Sequence, residues 1–359
     1  MARVRRTPYP VVFEQGAVGW DNPGGRIFYV AASGWTSAGG GASPSDSNSG
    51  LSPSSPFATI QKGLDSCTAG RGDQVAILPG SFTVTAAITM TKADVMLKSA
   101  VYVGPHEYSP VIITAAATFD DNLIQVDADN VTISGLGFEC GFTTVTANQE
   151  VIQVNSTNTT TDIYGCIIEN CYFDHLRAAG AATTTDTDLD TIKIGLDAND
   201  RAFNSIVRGC TIVECDQDAI VVNVGSLGAK ILNNRIYDGT ALTRIGVSLL
   251  GVGAEVTGNY IMCGTTSDTA GPVSVGVAAA LARVHNNYLI ARGADTVGIT
   301  VINTATVFSS GNWINAVAAG NIVDFKTAAT SPSSSADIAN VYAADPALAA
   351  LTAATVAGT

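Results

Sequence analysis

The densest group of side chains able to do chemistry is Glu214-Cys215-Asp216-Gln217-Asp218-Ala219-Ile220. Paired carboxylates carry out general acid–base work in many hydrolases, one giving a proton and the other taking one. Close to a turn, the same pair also serves as a solvated corner, and that is the favoured reading here. Asp174-His175 lies upstream and, in a stacked repeat, would project from the same side. An exposed Asp–His pair is its simpler meaning. Asp174, His175, Asp216 and Asp218 are therefore the catalytic candidates if the chain is an enzyme at all; the primary expectation is no catalytic set and no cofactor.

Metal chemistry is poorly provided for. Asp186-x-Asp188-x-Asp190 spells half of a calcium loop, but it lacks the glycine that makes the loop's sharp turn and ends in Asp197, not Glu. Three histidines, His106, His175 and His285, cannot build a His-rich site. Seven cysteines at irregular spacing form no even disulfide framework and suit small buried hydrophobes better than zinc ligands. Arg71-Gly72-Asp73 matches an integrin-type tripeptide, but it sits at a strand entry and reads as structural. Asn130, Asn155 and Asn158 head glycosylation sequons that, without a secretory route, are polar strand ends.

Composition bounds what must position these groups. Of 359 residues only 14% are charged, whereas Gly, Ala, Ser, Thr, Val and Ile dominate, so strand and turn material outweighs helix-surface material. The net charge of −13 argues against a nucleic-acid binder and for solubility and self-repulsion in a crowded setting. Arg3, Arg5 and Arg6 depart from this and form either a solvated tail or an arm that docks on an acidic partner. The basic start runs into Thr7-Pro8-Tyr9-Pro10 and not into an apolar stretch, so no signal peptide and no membrane span are expected.

An internal repeat organises the chain. Ile168-Glu169-Asn170-Cys171-Tyr172-Phe173 is followed by Val207-Arg208-Gly209-Cys210-Thr211-Ile212, Ile231-Leu232-Asn233-Asn234-Arg235-Ile236, Val256-Thr257-Gly258-Asn259-Tyr260-Ile261 and Val284-His285-Asn286-Asn287-Tyr288-Leu289. Ile133-Ser134-Gly135-Leu136-Gly137-Phe138 and Ser309-Ser310-Gly311-Asn312-Trp313-Ile314 are weaker copies. From Cys210 the Asn/Cys slot recurs after 24, 25, 28 and 25 residues. Alternating segments follow the copies: Asp218–Val222, Ile245–Leu249, Val275–Ala278 and Val297–Val301. Such a unit cannot bury its inward side chains alone, but stacked units share one continuous core. The expected fold is an all-β, right-handed parallel β-helix with an Asn ladder at a corner. Tyr172, Tyr260 and Tyr288 would then form a file on one outer face, either a carbohydrate platform or, preferably, a subunit contact.

The pattern resembles the pectate-lyase-like parallel β-helix superfamily. Its opening is carried by Phe28-Tyr29-Val30, a Gly/Ser-rich loop, Ser55-Pro56-Phe57-Ala58-Thr59-Ile60-Gln61-Lys62-Gly63-Leu64, and Gly72-Asp73-Gln74-Val75-Ala76-Ile77-Leu78-Pro79-Gly80-Ser81-Phe82. The resemblance implies a helix over 56–66, N-capped by Ser55, that covers the open end. It also implies where enzymes of this shape keep their chemistry: aspartate clusters with a proton-abstracting Lys or Arg in lyases, carboxylates on adjacent coils in hydrolases. Glu214–Ile220 faintly resembles one hydrolase strand, while the accompanying Asn-Thr-Asp, His-Gly and Arg-Ile-Lys motifs are missing.

The expected organisation is an arm over 1–26, the β-helix over 27–325 with a Gly/Ser/Pro-rich loop at 33–55 and an interruption at 180–202, and an Ala/Thr-rich tail over 326–359. In that tail Asp345–Leu351 is placed to open a short helix. Three functions fit. The first is a non-catalytic virion surface protein, a capsid decoration or spike component, made in the host cytoplasm. It would be homotrimeric and held to other virion proteins by Arg3, Arg5 and Arg6, with a surface glycan as a further partner. The second is a polysaccharide lyase or glycoside hydrolase of the phage depolymerase type. The third is a cell-surface adhesin.

Overall fold

In a computed structural model, the described residues are 24–37, 40–116, 119, 121–139, 150–155, 162–174, 190–213, 215, 218–237, 245–264, 272–276, 279, 281–292, 298–302 and 307–316, with strands at 323–326, 336–338, 341–344 and 351–352. They form a right-handed parallel β-helix. Each coil contributes one short strand to each of three long sheets, here A, B and C in the order the chain visits them. The coil of Ile167–Glu169 (A), Tyr172–Asp174 (B) and Ile192–Ile194 (C) is typical. A small fourth ladder, Ile163–Tyr164 beside Ala202–Phe203, lies between C and A. Among the described residues no helix is long and apolar enough to cross a membrane.

Stacking sets the core. In sheet A, Val75, Leu97, Ile133, Ile168, Val207, Ile231, Val256 and Val284 are register partners in one file. Sheet B stacks Ile113, Phe138, Phe173, Ile212, Ile236, Ile261, Leu289 and Ile314. Sheet C stacks Ile88, Ile124, Ile152, Ile192, Ile220, Val247, Val273 and Ile299. All of these are buried in one cluster. Burying such a side chain contributes roughly 1.5–3 kcal/mol, and neighbouring coils share that gain, so no coil is stable by itself.

The A–B corner carries a continuous hydrogen-bonded file. Cys171, Cys210, Asn234, Asn259, Asn287 and Asn312 form one vertical file. Asn259 Oδ1 accepts from Asn234 N and Nδ2 (2.8 and 3.1 Å), and Asn287 Oδ1 accepts from Asn259 N and Nδ2 (2.9 and 3.0 Å). Asn312 Oδ1 repeats this toward Asn287, and Asn234 Oδ1 receives Cys210 N at 2.9 Å. Buried amides at a strand break are thereby satisfied without water. Cys210 and Cys171 occupy the same slot where the file runs out, and burial raises the Cys210 thiol well above its ordinary pKa.

One residue earlier, each coil turns through left-handed backbone, and the occupants alternate: Gly135, Asn170, Gly209, Asn233, Gly258, Asn286, Gly311. The alternation has a steric cause. A Cβ on Gly209, Gly258 or Gly311 would lie 2.6, 2.2 or 2.5 Å from the Oδ1 of Asn170, Asn233 or Asn286 on the preceding coil. Each Asn leans over the next coil and leaves room there only for glycine.

Several boundaries differ from expectation. The helix is Ile60–Ser66 and not 56–66; its N-cap is Thr59, which accepts from Lys62 N, while Phe57 bridges Val30 in extended form. Asp46 fixes this start by accepting from Ala58 N and Thr59 N, a constraint reaching in from the loop. The helix packs against Ile27–Val30, Gln74–Ile77 and Ile88–Met90 as an end cover. The region 180–202 is no simple interruption: Ile192–Ile194 and Ala202–Phe203 are ordinary rungs, and Tyr172 pairs directly with Thr211. The strand opposite Val247 and Ile299 is Val273–Val275, so the alternating segment Val275–Ala278 overlaps it only at the strand's last residue. The sheets continue past 325 through Ala336–Ile338 and Val341–Ala344, and Leu351–Thr352 pairs antiparallel with Ala343 and Tyr342, so Leu351 does not end a helix. Low-complexity composition concealed this last coil.

The alternation yields a test. Gly258→Asn alone should destabilise, and adding Asn233→Gly should restore part of the loss, with a coupling of about 1–2 kcal/mol in a double-mutant cycle read by chemical denaturation. Strict additivity would show that the two coils do not compete for that space. Separately, Asn259→Ala should cost about 2–4 kcal/mol in the same measurement, because it strands the buried Asn234 amide.

Candidate functional site

The corner leading into sheet C carries a second polar file. The hydrogen-bonded register places Asn122, Glu150, Asp190, Asp218 and Ile245 on successive coils. Here too a side-chain oxygen caps a backbone N–H one coil on: Asn122 Oδ1 accepts from Glu150 N (2.8 Å), Asp190 Oδ1 from Asp218 N (3.3 Å) and Asp218 Oδ1 from Ile245 N (3.2 Å). Acids therefore take the place that asparagine fills at the other corner. Lys193, two positions inside its strand, reaches back to Glu150 Oε1 at 2.7 Å.

Burial makes this file electrostatically unusual. Glu150 is 1% exposed and Asp190 9%. Desolvation, reinforced by the neighbouring Asp218 charge and opposed by Lys193, pushes the Asp190 carboxyl up to about 8. At neutral pH Asp190 is thus a neutral acid beside Asp218. The outward side chains of sheet C are also buried: Gln153, Val221, Ser248, Ser274 and Thr300. Sheet C accordingly departs from the simple one-face-in, one-face-out pattern, and its outer surface is a polar floor and not an open face. By contrast Arg208, Lys230, Arg283 and Phe308 stand exposed on sheet A.

The expected site residues are split by this geometry. Asp218 belongs to the acid file. Asp174 lies instead on the outer face of sheet B beside Tyr172 Oη (3.5 Å), near Glu139, which accepts from Tyr108 Oη at 2.5 Å. Burial is secondary there; the hydrogen bond to Glu139 is the main reason the Tyr108 phenol rises to about 12. Arg3, Arg5, Arg6, His175 and Asp216 lie outside the described residues. Sequence reasoning missed Glu150 and Lys193 and met Asp190 only as part of an incomplete calcium loop. The signal was present as a shared form, Asn122-Leu123-Ile124-Gln125-Val126, Glu150-Val151-Ile152-Gln153-Val154, Asp190-Thr191-Ile192-Lys193-Ile194 and Asp218-Ala219-Ile220-Val221-Val222.

Other candidates resolve structurally. Asp73 is fully buried and accepts from Arg26 N, Thr68 N and the Arg71 guanidinium, so the tripeptide cannot be presented to a partner. Asn130 and Asn155 are left-handed corner residues. Among the described residues no group of three or more His, Cys, Asp or Glu could hold a metal ion. The aromatic file is Tyr260, Tyr288 and Trp313, with ring centroids 5.0 and 3.9 Å apart and planes within 12° of parallel. These rings cover one another's faces, whereas sugar stacking needs an open face; Tyr172 instead pairs edge-on with Tyr108.

No family model and no curated protein matches the chain. Solved structures do. XylC in complex with xylose aligns at a TM-score of 0.57 with 13% identity, over 88% of this chain and 68% of that one. Pectate lyase Pel9A aligns at 0.49 with 12% identity, over 85% and 78%. The Dettilon tailspike protein aligns at 0.42 with 11% identity, over 78% and 63%. The neighbours are thus pectate-lyase-like parallel β-helix proteins and include a phage tailspike. Identities this low establish the shared fold and nothing about chemistry.

Asp190 supplies a pH test. Its folded pKa lies above the unfolded value, so its contribution is complete below about pH 4 and is lost as pH rises through about 8. Asp190→Asn keeps the N–H-capping oxygen and removes the titration. It should leave stability near pH 3 almost unchanged and raise it by several kcal/mol at pH 9, read from denaturation curves at the two pH values. Parallel pH profiles for both proteins would refute a raised Asp190.

Proposed function

We propose that the protein is a structural β-helix of a virus particle's surface, a capsid decoration or spike component, working as a homotrimer. One observation carries this reading: the outward side chains of sheets A and B are tied to one another along the helix axis. Ser134, Glu169 and Arg208 form one such chain, with Arg208 Nη2 2.6 Å from Glu169 Oε2. Glu255, Thr257 and His285 form another, and Tyr260, Tyr288 and Trp313 a third. The acid file of sheet C likewise commits oxygens to the backbone of the next coil. Links of this kind stiffen a rod. The basic arm with Arg3, Arg5 and Arg6 supplies attachment to an acidic neighbour, and the net charge of −13 keeps closely spaced copies soluble.

A specific observation favours a second reading, action on a polysaccharide. Asp190 and Asp218 stand on adjacent coils, one neutral up to about pH 8 and one beside it, a combination suited to acid–base catalysis. The two readings separate in one experiment. Light scattering after size exclusion should give three times the chain mass, and incubation with acidic and neutral polysaccharides should release neither reducing ends nor unsaturated products. A monomer whose turnover disappears in both Asp190→Asn and Asp218→Asn would replace the structural reading with the enzymatic one.

A further inference from the structure

Between Ser99 and Val111 the chain leaves sheet A and runs along the helix axis before joining sheet B. Ala100 N bonds Ile77 O, Ser109 Oγ donates to Gly135 O (2.7 Å), and His106 N reaches Gly209 O (3.1 Å). The segment thus starts on the coil of Leu97 and bridges to the coil of Cys210. Val103 closes over Gly135, where an added Cβ would come 3.2 Å from the valine Cβ. The Tyr108 ring anchors the far end against Tyr172, with centroids 4.9 Å apart. Under this strap, against the outer face of sheet A, is a cavity of about 60 Å³ lined by Lys98, Tyr102, Val103, Ser134, Glu169 and Asn170.

The charges in this cavity do not balance. Both carboxylate oxygens of Glu169 are engaged, Oε1 by the Ser134 hydroxyl at 3.1 Å and Oε2 by Arg208 Nε and Nη2 at 2.9 and 2.6 Å. Lys98 has no hydrogen-bond or ion-pair partner among the described residues, nor do the backbone N–H groups of Tyr102 and Val103. Burial lowers the Lys98 ammonium below its ordinary value, and no carboxylate counteracts it. Lys98 is half-buried and Tyr102 largely exposed, so solvent serves these groups where no described residue does, and an acceptor with negative charge would take its place.

We propose that this cavity binds a small oxyanion, a carboxylate or phosphate group, with Lys98 as its cation and the Tyr102–Val103 backbone as neutral donors. The site is independent of either reading of the overall function. Thermal unfolding at constant ionic strength, with added inorganic phosphate or acetate, tests it. Either anion should raise the melting temperature of the wild-type protein by several degrees at millimolar concentration, and Lys98→Met should abolish the rise. A rise with phosphate alone assigns a phosphate ligand, with acetate alone a carboxylate, and with both the oxyanion class. Should Lys98→Met fold poorly, the unmodified protein still reports. Phosphate or acetate should then shield Lys98 from acetic-anhydride labelling, read by mass spectrometry against Lys62 and Lys230 as exposed or surface references. No rise in the wild type with either anion, an equal rise in Lys98→Met, or labelling of Lys98 unaffected by both anions would overturn the proposal.

Discussion

Everything in this molecule hangs on matching buried amides at the places where the chain must bend. A coil that turns between two sheets interrupts the strand ladder and leaves backbone groups in a hydrocarbon interior, where an unmatched amide costs more than a packed methyl group returns. The file from Asn234 to Asn312 resolves this by letting each side-chain amide serve the coil before it. Because both donor and acceptor are used, the file also fixes register: a one-residue slip would break the amide pairing and turn every inward Val and Ile outward. Packing supplies most of the free energy, but the corner decides which packing is available.

Once register is fixed, the outer faces follow. Residues of like position stand one above another at strand spacing, so interactions run along the axis and not across the sheet. The Arg208–Glu169 pair, the Glu255–Thr257–His285 group and the aromatic stack are three chemical versions of one geometric fact. The acid file at the entrance to sheet C is a fourth, and the least comfortable, since burial, reinforced by the Asp218 charge one coil away, makes Asp190 keep its proton. Asp190 therefore behaves as a substitute for asparagine until the pH approaches 8. The strap over Lys98 is possible for the same reason: a regular column of coils offers one segment several equivalent places to anchor.

The fold was readable because its determinants are periodic. Val207, Ile231 and Val256, followed at fixed distance by Cys210, Asn234 and Asn259, announce a stacked repeat without any knowledge of contacts. The Asn/Gly alternation from Gly135 to Gly311 was equally visible in the chain, although its cause, an Asn of one coil occupying the space of a glycine Cβ on the next, exists only between coils. The helix start was misread because Ser55-Pro56 satisfies every local rule for a cap, and only Asp46, nine residues upstream of Ser55, moves the start to Thr59. The final coil was hidden by alanine-rich composition that blurs the apolar pattern.

The candidate site divides along the same line. Sequence alone determined the repeat, the sheet-forming segments and the small-residue corner, and it offered Asp218 as a candidate, since each depends on residue type and short-range spacing. Tertiary structure decided that Asp218 shares a file with Asp190 and Glu150 and not with Asp174, that Asp73 is sealed within its own hydrogen bonds, and that Lys98 lines a cavity with no counter-ion among the described residues. Those outcomes depend on how far the chain travels between coils. The number of residues in a loop does not state where its ends come to rest, whereas the hydrogen-bonded register of the coils does.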